Sequence, residues 1–420
     1  MSLTRLSVEE ASAHTLAGIT PLAEEGVELR DALGRVLARD VASPVSLPPW
    51  DTASMDGFAV RADDVRGATR GAPVRLRVTE TIAAGQRPRN AVEAGEAVRI
   101  MTGAPVPRGA DSVVRVEDTT SDEASVTIVD DRDAGANVRA RGEDVGAGDV
   151  VLRAGTTLAA PRIGVLSSVG AGRPIVHRRP RVAILATGDE LVMLDGFAGV
   201  LAGTRIVSSN SYSLEAAVRE AGGEPVPLGI APDDPAGLAE RLRAANGCDA
   251  IVTSGGVSVG DFDYTRRVVS ELGGELSLWR VRMRPGAPLG FGRLFGVPWL
   301  GLPGNPVSAL VTFELFGRPL LRALAGASRP HRRTVPVVLD EEVTLRAPLA
   351  HFLRCVIVAG DDDALHARLT GSQSSGMLTS MSVADALLVV PAEPAVVRAG
   401  TRLRALPLSG DFGGSARVLA

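Results

Sequence analysis

The sequence predicts a multidomain protein with a doubly wound α/β domain, a small β-rich insertion ahead of it and a small β barrel or sandwich at the end. Three observations carry this expectation. At 420 residues the chain exceeds what one hydrophobic core usually serves. From 181 to 324, apolar runs alternate with helical stretches, the pattern of a parallel sheet covered on both faces. On either side of that region, at 43–133 and beyond 333, the character is short β-prone runs broken by Gly and Pro.

Each element has its own signal. Ser7-Val8-Glu9-Glu10 is a capping box that opens a helix continuing over 11–16, and a second helix is expected over 29–38. Val74-Arg75-Leu76-Arg77-Val78 and Val113-Val114-Arg115-Val116 read as strands of the insertion. Turn-rich 137–155 leads to a helix at 161–169. In the α/β region, strands are expected at 182–185, 225–228, 250–252 and 298–302, and helices at 211–220, 235–245, 264–272 and 307–324. The final strands include 353–358 and 386–390. Two arginine clusters, Arg178-Arg179-Pro180-Arg181 and Arg329-Pro330-His331-Arg332-Arg333, read as solvated linkers.

Composition excludes several chemistries. All 45 basic residues are arginine, so no lysine base or Schiff base is possible, and an anion must be held by guanidinium groups. The net charge of −4 argues against a broad nucleic-acid surface. No run of eighteen apolar residues suits a membrane span and the start has no apolar signal core, so a cytoplasmic protein is expected. Cys248 and Cys355, in strand-like surroundings, read as buried reduced thiols, and the five histidines lack metal-ligand or triad spacing.

The most informative segment is Thr253-Ser254-Gly255-Gly256-Val257-Ser258-Val259-Gly260-Asp261-Phe262-Asp263, which follows the apolar run Ala250-Ile251-Val252. Paired glycines after a strand let backbone N–H groups approach an oxyanion. Carboxylates in the same loop would repel a bare phosphate, which points to a hard divalent cation between them. The same pattern also suits a tight turn followed by an N-capping aspartate. Two further loops end strands in small or acidic residues, Thr187-Gly188-Asp189-Glu190 and Pro303-Gly304-Asn305-Pro306, and would share one rim of a doubly wound sheet. Pro232-Asp233-Asp234-Pro235 brings carboxylates to that rim or merely caps a helix. Arg280, Arg282 and Arg284 alternate and would share one face of a strand. In the insertion, Pro48-Pro49-Trp50-Asp51-Thr52-Ala53-Ser54-Met55-Asp56-Gly57 and Arg99-Ile100-Met101-Thr102-Gly103-Ala104-Pro105 combine turn formers with polar residues.

Taken in order, Ser54-Met55-Asp56-Gly57-Phe58-Ala59-Val60, Arg99-Ile100-Met101-Thr102-Gly103-Ala104-Pro105, Arg141-Gly142-Glu143-Asp144, Thr187-Gly188-Asp189-Glu190-Leu191, the 254–263 loop, Arg284-Pro285-Gly286 and Gly301-Leu302-Pro303-Gly304-Asn305-Pro306-Val307-Ser308 resemble the MoeA family, the molybdenum-inserting enzymes that include the E domain of gephyrin. The resemblance spans nearly the whole chain. It implies an elongated N-terminal domain (1–45 and 138–178), an inserted β-rich domain (46–137), a MogA-like α/β molybdopterin-binding domain (179–328) and a C-terminal β barrel (329–420).

It also implies a cytoplasmic homodimer in which Asp56 and Thr102 of one subunit meet Glu190, Asp233 and Asp263 of the other. The implied substrates are adenylylated molybdopterin and molybdate, with Mg2+ and release of AMP. Catalytic and metal roles then fall to Asp56, Glu190, Asp233 and Asp263. Substrate contacts fall to Thr102, Thr187, Gly188, Ser254, Gly255, Gly256, Ser258, Arg280, Arg284, Pro303, Gly304 and Asn305, and molybdate contacts to Arg284, Arg354, Ser374 and Ser375. Molybdopterin adenylyltransferase and apo-molybdoenzymes are the implied partners, with no nucleic acid and no membrane. The chain departs from many relatives at Arg284-Pro285-Gly286-Ala287-Pro288, where they carry Lys-Pro-Gly-Lys-Pro, and Arg282 or Arg293 are candidate replacements for the missing cation. Other readings of the same residues are a non-catalytic molybdopterin carrier or scaffold, and an insertase for another oxyanion such as tungstate.

Overall fold

The computed structural model describes residues 4–256, 262–345, 347–360, 364–393 and 395–409; the side chains of 262–264, 266, 278 and 279 lie outside the description. A seven-stranded sheet forms its centre, in the order Thr4–Leu6, Glu275–Val281, Pro288–Leu294, Val297–Leu302, Ala250–Ser254, Arg181–Thr187, Glu224–Ala231. The last four strands are parallel, as alternation with helices requires. Pro288–Leu294 is antiparallel to both neighbours because short turns replace crossover helices. One of these is the two-residue turn Phe295-Gly296, with φ of 54° and 78°.

Period-two alternation divides the core. Val182, Ile184, Val252, Leu300 and Leu302 face Leu214, Val218, Phe313 and Phe316, whereas Ala183, Leu185, Ile251 and Trp299 face Leu238, Leu242 and Val268. The chain passes from Arg181–Thr187 to Glu224–Ala231 on one side and returns to Ala250–Ser254 on the other. A crevice therefore opens between the carboxyl ends at Thr187 and Ser254.

Around this centre lie three smaller units. The insertion holds a six-stranded sheet in the order Ser112–Arg115, Gly57–Val60, Glu96–Ile100, Val74–Ile82, Ser125–Ile128, Thr119–Ser121. Residues before and after it join through Val41–Ala42 against Val150–Leu152 and Glu24–Gly26 against Ile175–His177, over a core of Ala32, Leu37, Leu158, Leu166 and Val176. The terminal unit is a closed barrel, since Ala350–Ala359, Leu365–Leu369, Val335–Leu339, Arg402–Pro407 and Ala386–Val390 pair in a ring. Met283–Arg284 leaves the α/β sheet and pairs with Ala350 and His351 of the barrel.

Several expectations are corrected. The helix expected over 29–38 is only the turn Leu29–Asp31; Gly34 has φ 76°, and Val36 and Leu37 bridge to Thr157 and Val176. The helix expected over 307–324 is three segments, Pro306–Thr312, a π turn at Phe313–Gly317 and Arg318–Leu324. Pro319 lacks the N–H that would continue an α ladder, which gives the π turn its cause. Neither arginine cluster is merely solvated. Arg178 pairs with Asp249 through both carboxylate oxygens, and Arg332 donates to Glu314 at 2.6 Å, although burial still pushes Glu314 up from the ordinary carboxylate range. The two cysteines are buried free thiols, and burial pushes Cys355 up to about 12.

One ion pair of the inserted domain gives a pH prediction. Arg115 donates Nε and Nη2 to the two oxygens of Asp133, each at 2.8 Å, and its backbone N–H adds a third bond at 3.1 Å. The Arg115 side chain holds the buried Asp133 carboxyl down at about 2. With the folded value below the unfolded one, this stabilisation is full above the ordinary carboxylate range and is lost as pH falls towards 2. Asp133→Asn should cost on the order of 2 kcal/mol near neutrality and flatten the acid limb of a denaturation series. An unchanged acid limb in the variant would refute the assignment.

Candidate active site at the switch point

Three loops converge at the crevice. A Cβ added to Gly255 would lie 2.6 Å from the carbonyl oxygen of Thr187, and one added to Gly304 would lie 3.6 Å from the Gly255 Cα. Gly255 and Gly256 have φ of 94° and 64°, so only glycine lets the chain turn while approaching Thr187 this closely. Asn210, in the first turn of the helix Ser209–Glu220, joins the loops by donating to Ser254 Oγ at 2.7 Å and the Gly304 carbonyl at 2.8 Å. Sequence reasoning missed it, although a polar triplet Ser208-Ser209-Asn210 opening a helix after a short strand was a usable signal. Thr187 Oγ1 and Asn210 Oδ1 are buried without a hydrogen-bond partner among the described residues.

The acidic rim lies beside these loops. Asp233 and Asp189 exchange bonds, each backbone N–H donating to the other's carboxylate at 3.1 and 3.3 Å. Asp234 instead caps the helix Pro235–Arg243, accepting from Ala236 and Gly237 at 2.9 Å. The Glu190 carboxylate folds over Gly188, where an added Cβ would come within 2.7 Å of Oε2. Asp263 sits at the start of the helix Phe262–Glu271, with its side chain outside the description, and Ser258 lies outside the described residues altogether. Pro303 is buried, while Gly304 and Asn305 are exposed ahead of the helix Pro306–Thr312.

A second space adjoins the first at the seam of the α/β domain and the barrel. It has a volume of about 850 Å3 and is lined by Arg284, Arg354, Ser374 and Ser375, together with Ala287, Ser308, Glu342, His351 and Gln373. The Ser375 carbonyl accepts from Val307 N at 3.2 Å, which docks this barrel loop onto the helix that follows Pro303-Gly304-Asn305. Arg284 is exposed and has no acidic partner among the described residues.

Arg354 is fully buried. Its guanidinium donates to Ser380 Oγ at 3.0 Å and to the carbonyls of Gln373, Ser372 and Ser374 at 3.2, 3.1 and 3.0 Å. Four of its five N–H donors thus shape the loop, and one on Nη1 remains. His351 bonds the Leu349 carbonyl at 2.7 Å through Nδ1, and burial, with Arg284 nearby, pushes its pKa down, so it adds no charge at neutrality. Arg280 and Arg282 do not line this space, and Arg293 bonds the carbonyls of Gly296 and Gly18, so it cannot replace the missing cation. The expected common face of Arg280, Arg282 and Arg284 is divided because Met283–Arg284 leaves the sheet for the barrel.

Asp56 and Thr102 meet in the inserted domain, where Thr102 N–H and Oγ1 donate to Asp56 Oδ1 at 2.7 and 2.8 Å. The backbone bond, reinforced by the hydroxyl, holds the Asp56 carboxyl below its ordinary range. The hydrogen bonds of Asp56 among the described residues stay inside the insertion.

Comparison with known proteins bears on all these regions. Residues 6–170 match the MoeA N-terminal region, 183–323 a probable molybdopterin binding domain, and 336–408 the MoeA C-terminal region. A Nostoc protein named molybdopterin molybdenumtransferase is 38% identical over 91% of this chain and 88% of its own length. A Mycobacterium tuberculosis protein named molybdopterin molybdenumtransferase 2 is 39% identical over 91% and 95%. The crystal structure of the molybdopterin biosynthesis moeA protein from Pyrococcus horikoshii OT3 superposes with a TM-score of 0.83 at 29% identity, over 96% of this chain and 100% of that one. With matches from residue 6 to residue 408 and the same fold throughout, the chain belongs to the MoeA family.

Proposed function

We propose that the chain is a molybdopterin molybdenumtransferase that inserts molybdate into adenylylated molybdopterin, with Mg2+-dependent release of AMP. The observation that carries this reading is the adjacency of two spaces of complementary chemistry. One is a glycine-lined crevice with carboxylates on its rim; the other is an arginine- and serine-lined cavity joined to it through Val307 and Ser375.

In this reading the backbone N–H of Gly256, with Ser258, cradles the pyrophosphate, while Gly255, whose own N–H donates to the Leu302 carbonyl at 3.1 Å, sets the turn. Thr187 Oγ1 and Asn210 Oδ1, buried and without a partner among the described residues, complete their bonds on the substrate. Arg284 and the remaining Arg354 N–H, with Ser374 and Ser375, hold molybdate at the point where metal meets dithiolene. Ala287 leaves that wall one cation poorer than in many relatives.

The donor set fits Mg2+. No three His, Cys, Asp or Glu side chains among the described residues lie together so as to hold a metal ion, and the Asp263 side chain is outside the description. Mg2+ typically takes one or two carboxylates and completes its shell with substrate phosphate and water. Glu190, Asp233 and Asp263 would hold it, and it would supply charge neutralisation at the pyrophosphate. A homodimer would add Asp56 and Thr102 of the other protomer to that rim. The two bonds from Thr102 fix the Asp56 carboxylate and favour its ionised form, which suits it to orient water or metal. A cytoplasmic adenylyltransferase would deliver the substrate, and apo-molybdoenzymes would accept the product.

AMP release from adenylylated molybdopterin in the presence of Mg2+, with and without molybdate and tungstate, tests the proposal, the product being scored by activation of a cofactor-free molybdoenzyme. Molybdate-dependent release with activation is expected. Pterin binding without release would replace the proposal with a carrier or scaffold, and release driven by tungstate alone would replace the metal.

A further inference from the structure

The cavity between the α/β domain and the barrel is short of positive charge. Among the described residues that line it, Arg284 and Arg354 carry two positive charges and Glu342 one negative, so the wall stands one charge short of a molybdate dianion. Ala287 cannot make up the difference, and Arg280, Arg282 and Arg293 do not line the space. We infer that His351 supplies the missing cation by taking a proton from solvent at Nε2 as the oxyanion enters, which makes it an oxyanion-binding residue of this site. The inference rests on the reading of this cavity as the molybdate site and deepens it.

Three observations carry it. First, His351 lines the cavity and is the registered neighbour of Arg284 where Met283–Arg284 runs parallel to Ala350–Ala359, so the two side chains leave the same face of the sheet. Arg284 acts on the imidazole electrostatically, and an anion seated on Arg284 acts on it with the opposite sign. Second, the tautomer is fixed. The Leu349 carbonyl can only accept, so the 2.7 Å bond at Nδ1 uses the proton of that nitrogen and leaves Nε2 with a bare lone pair. Nε2 has no hydrogen-bond partner among the described residues. A lone pair repels an oxyanion, whereas a proton there turns the same atom into a charge-assisted donor with no rotation of the ring.

Third, the forces that keep the proton off are ones a dianion reverses. Burial pushes the His351 pKa down, the Leu349 bond opposes this in part, and Arg284 adds to the lowering. An oxyanion beside Arg284 offsets the guanidinium charge and stabilises an imidazolium. The other charged groups of the cavity are Arg354 on the same strand and Glu342 on the wall. The flanking strand Ala386–Val390, the helix Pro306–Thr312 and the loop 372–375 carry no titratable side chain, and Arg346 lies outside the described residues. Proton uptake ties binding to pH. Affinity is highest below the His351 pKa of the free chain, falls as pH rises, and levels off above the pKa of the complex. A rise of about one pKa unit on binding corresponds to about a tenfold difference between the two plateaus.

Calorimetric titration of the full chain with molybdate, in buffers of differing ionisation heat and over roughly pH 5.5 to 8.5, counts the protons taken up on either side of the ordinary histidine range. Uptake approaching one proton per molybdate is expected, with binding about tenfold tighter at the acid end. His351→Gln, which keeps a neutral amide in place of the imidazole, should bind at the weak plateau with no uptake. Ala287→Lys places a fixed cation in the same wall and leaves His351 in its packing, so it keeps the test open if His351→Gln does not fold; it should bind more tightly at the alkaline end and take up fewer protons. Absence of uptake in the unaltered chain would overturn the inference, as would uptake undiminished in either variant. Molybdate that does not bind, or binds equally well to Arg284→Ala, removes both the inference and the molybdate site. Proton-coupled binding without metal insertion removes the insertase reading alone, and insertion with binding independent of pH removes the inference alone.

Discussion

Glu190→Ala is expected to lower molybdate-dependent AMP release by on the order of 10²–10³-fold while leaving the melting temperature within experimental error, an effect of the size seen when one charge-stabilising group is removed from an active site. The physical basis is local. Glu190 is exposed, its carboxylate folds over Gly188, and the neighbouring Asp189 and Asp233 are bound to each other through their backbones, which leaves Glu190 the carboxylate on this loop with least structural work. Glu190→Gln, which preserves shape and removes charge, should be nearly as impaired. Single-turnover AMP release at saturating Mg2+ makes the measurement. A variant retaining most of its turnover would remove Glu190 from the catalytic assignment.

Arg354→Ala should be the most destabilising single change at the seam, by about 3–5 kcal/mol, because it strands the carbonyls of Ser372, Gln373 and Ser374 and the Ser380 hydroxyl in a buried loop. Arg284→Ala should behave oppositely. Its side chain is exposed, so stability should change by no more than about 0.5 kcal/mol. Molybdate binding should nevertheless weaken about tenfold or more, because a charged donor to the oxyanion is gone. Denaturant unfolding together with calorimetric molybdate titration separates the two. Equal stability losses would mean that Arg284 is also structural, and an Arg354→Ala protein of ordinary stability would contradict the hydrogen bonding described here.

Much of the architecture was legible because the signals are local. The capping box Ser7 to Glu10 does cap its helix, with Glu10 N–H donating to Ser7 Oγ and Ser7 N–H to Glu10 Oε2. The apolar runs at 182–185 and 250–252 do become central strands, because four or five residues buried on both faces leave few alternatives. Glycines at 255 and 256 were recognisable as a close approach for the same reason: only backbone freedom explains them there. Asp233 and Asp234, indistinguishable as letters, took different roles once the helix began at Pro235 and Asp234 turned to cap it.

Residues whose meaning depends on distant partners were not legible. Arg178 and Arg332 look alike in a linker, yet each finds a carboxylate 71 or 18 residues away. Asn210 became the tie between two loops only when the strands ending at Ser254 and Leu302 lay side by side. The alternation of Arg280, Arg282 and Arg284 promised one charged face, and the move of Met283–Arg284 to the barrel dissolved it.

By itself the sequence determined the family, the order of its regions and the chemical type of each loop, since glycine, carboxylate and guanidinium requirements act over a few residues. Tertiary structure alone decided that Arg354 shapes a loop while Arg284 stays exposed, that Arg293 is spent on backbone carbonyls, and that Arg87, Arg89, Arg108 and Trp50 line one cavity. The reason is that hydrogen-bond and charge partners are chosen by distance in space, and a chain folded into several units brings together residues that its order keeps apart.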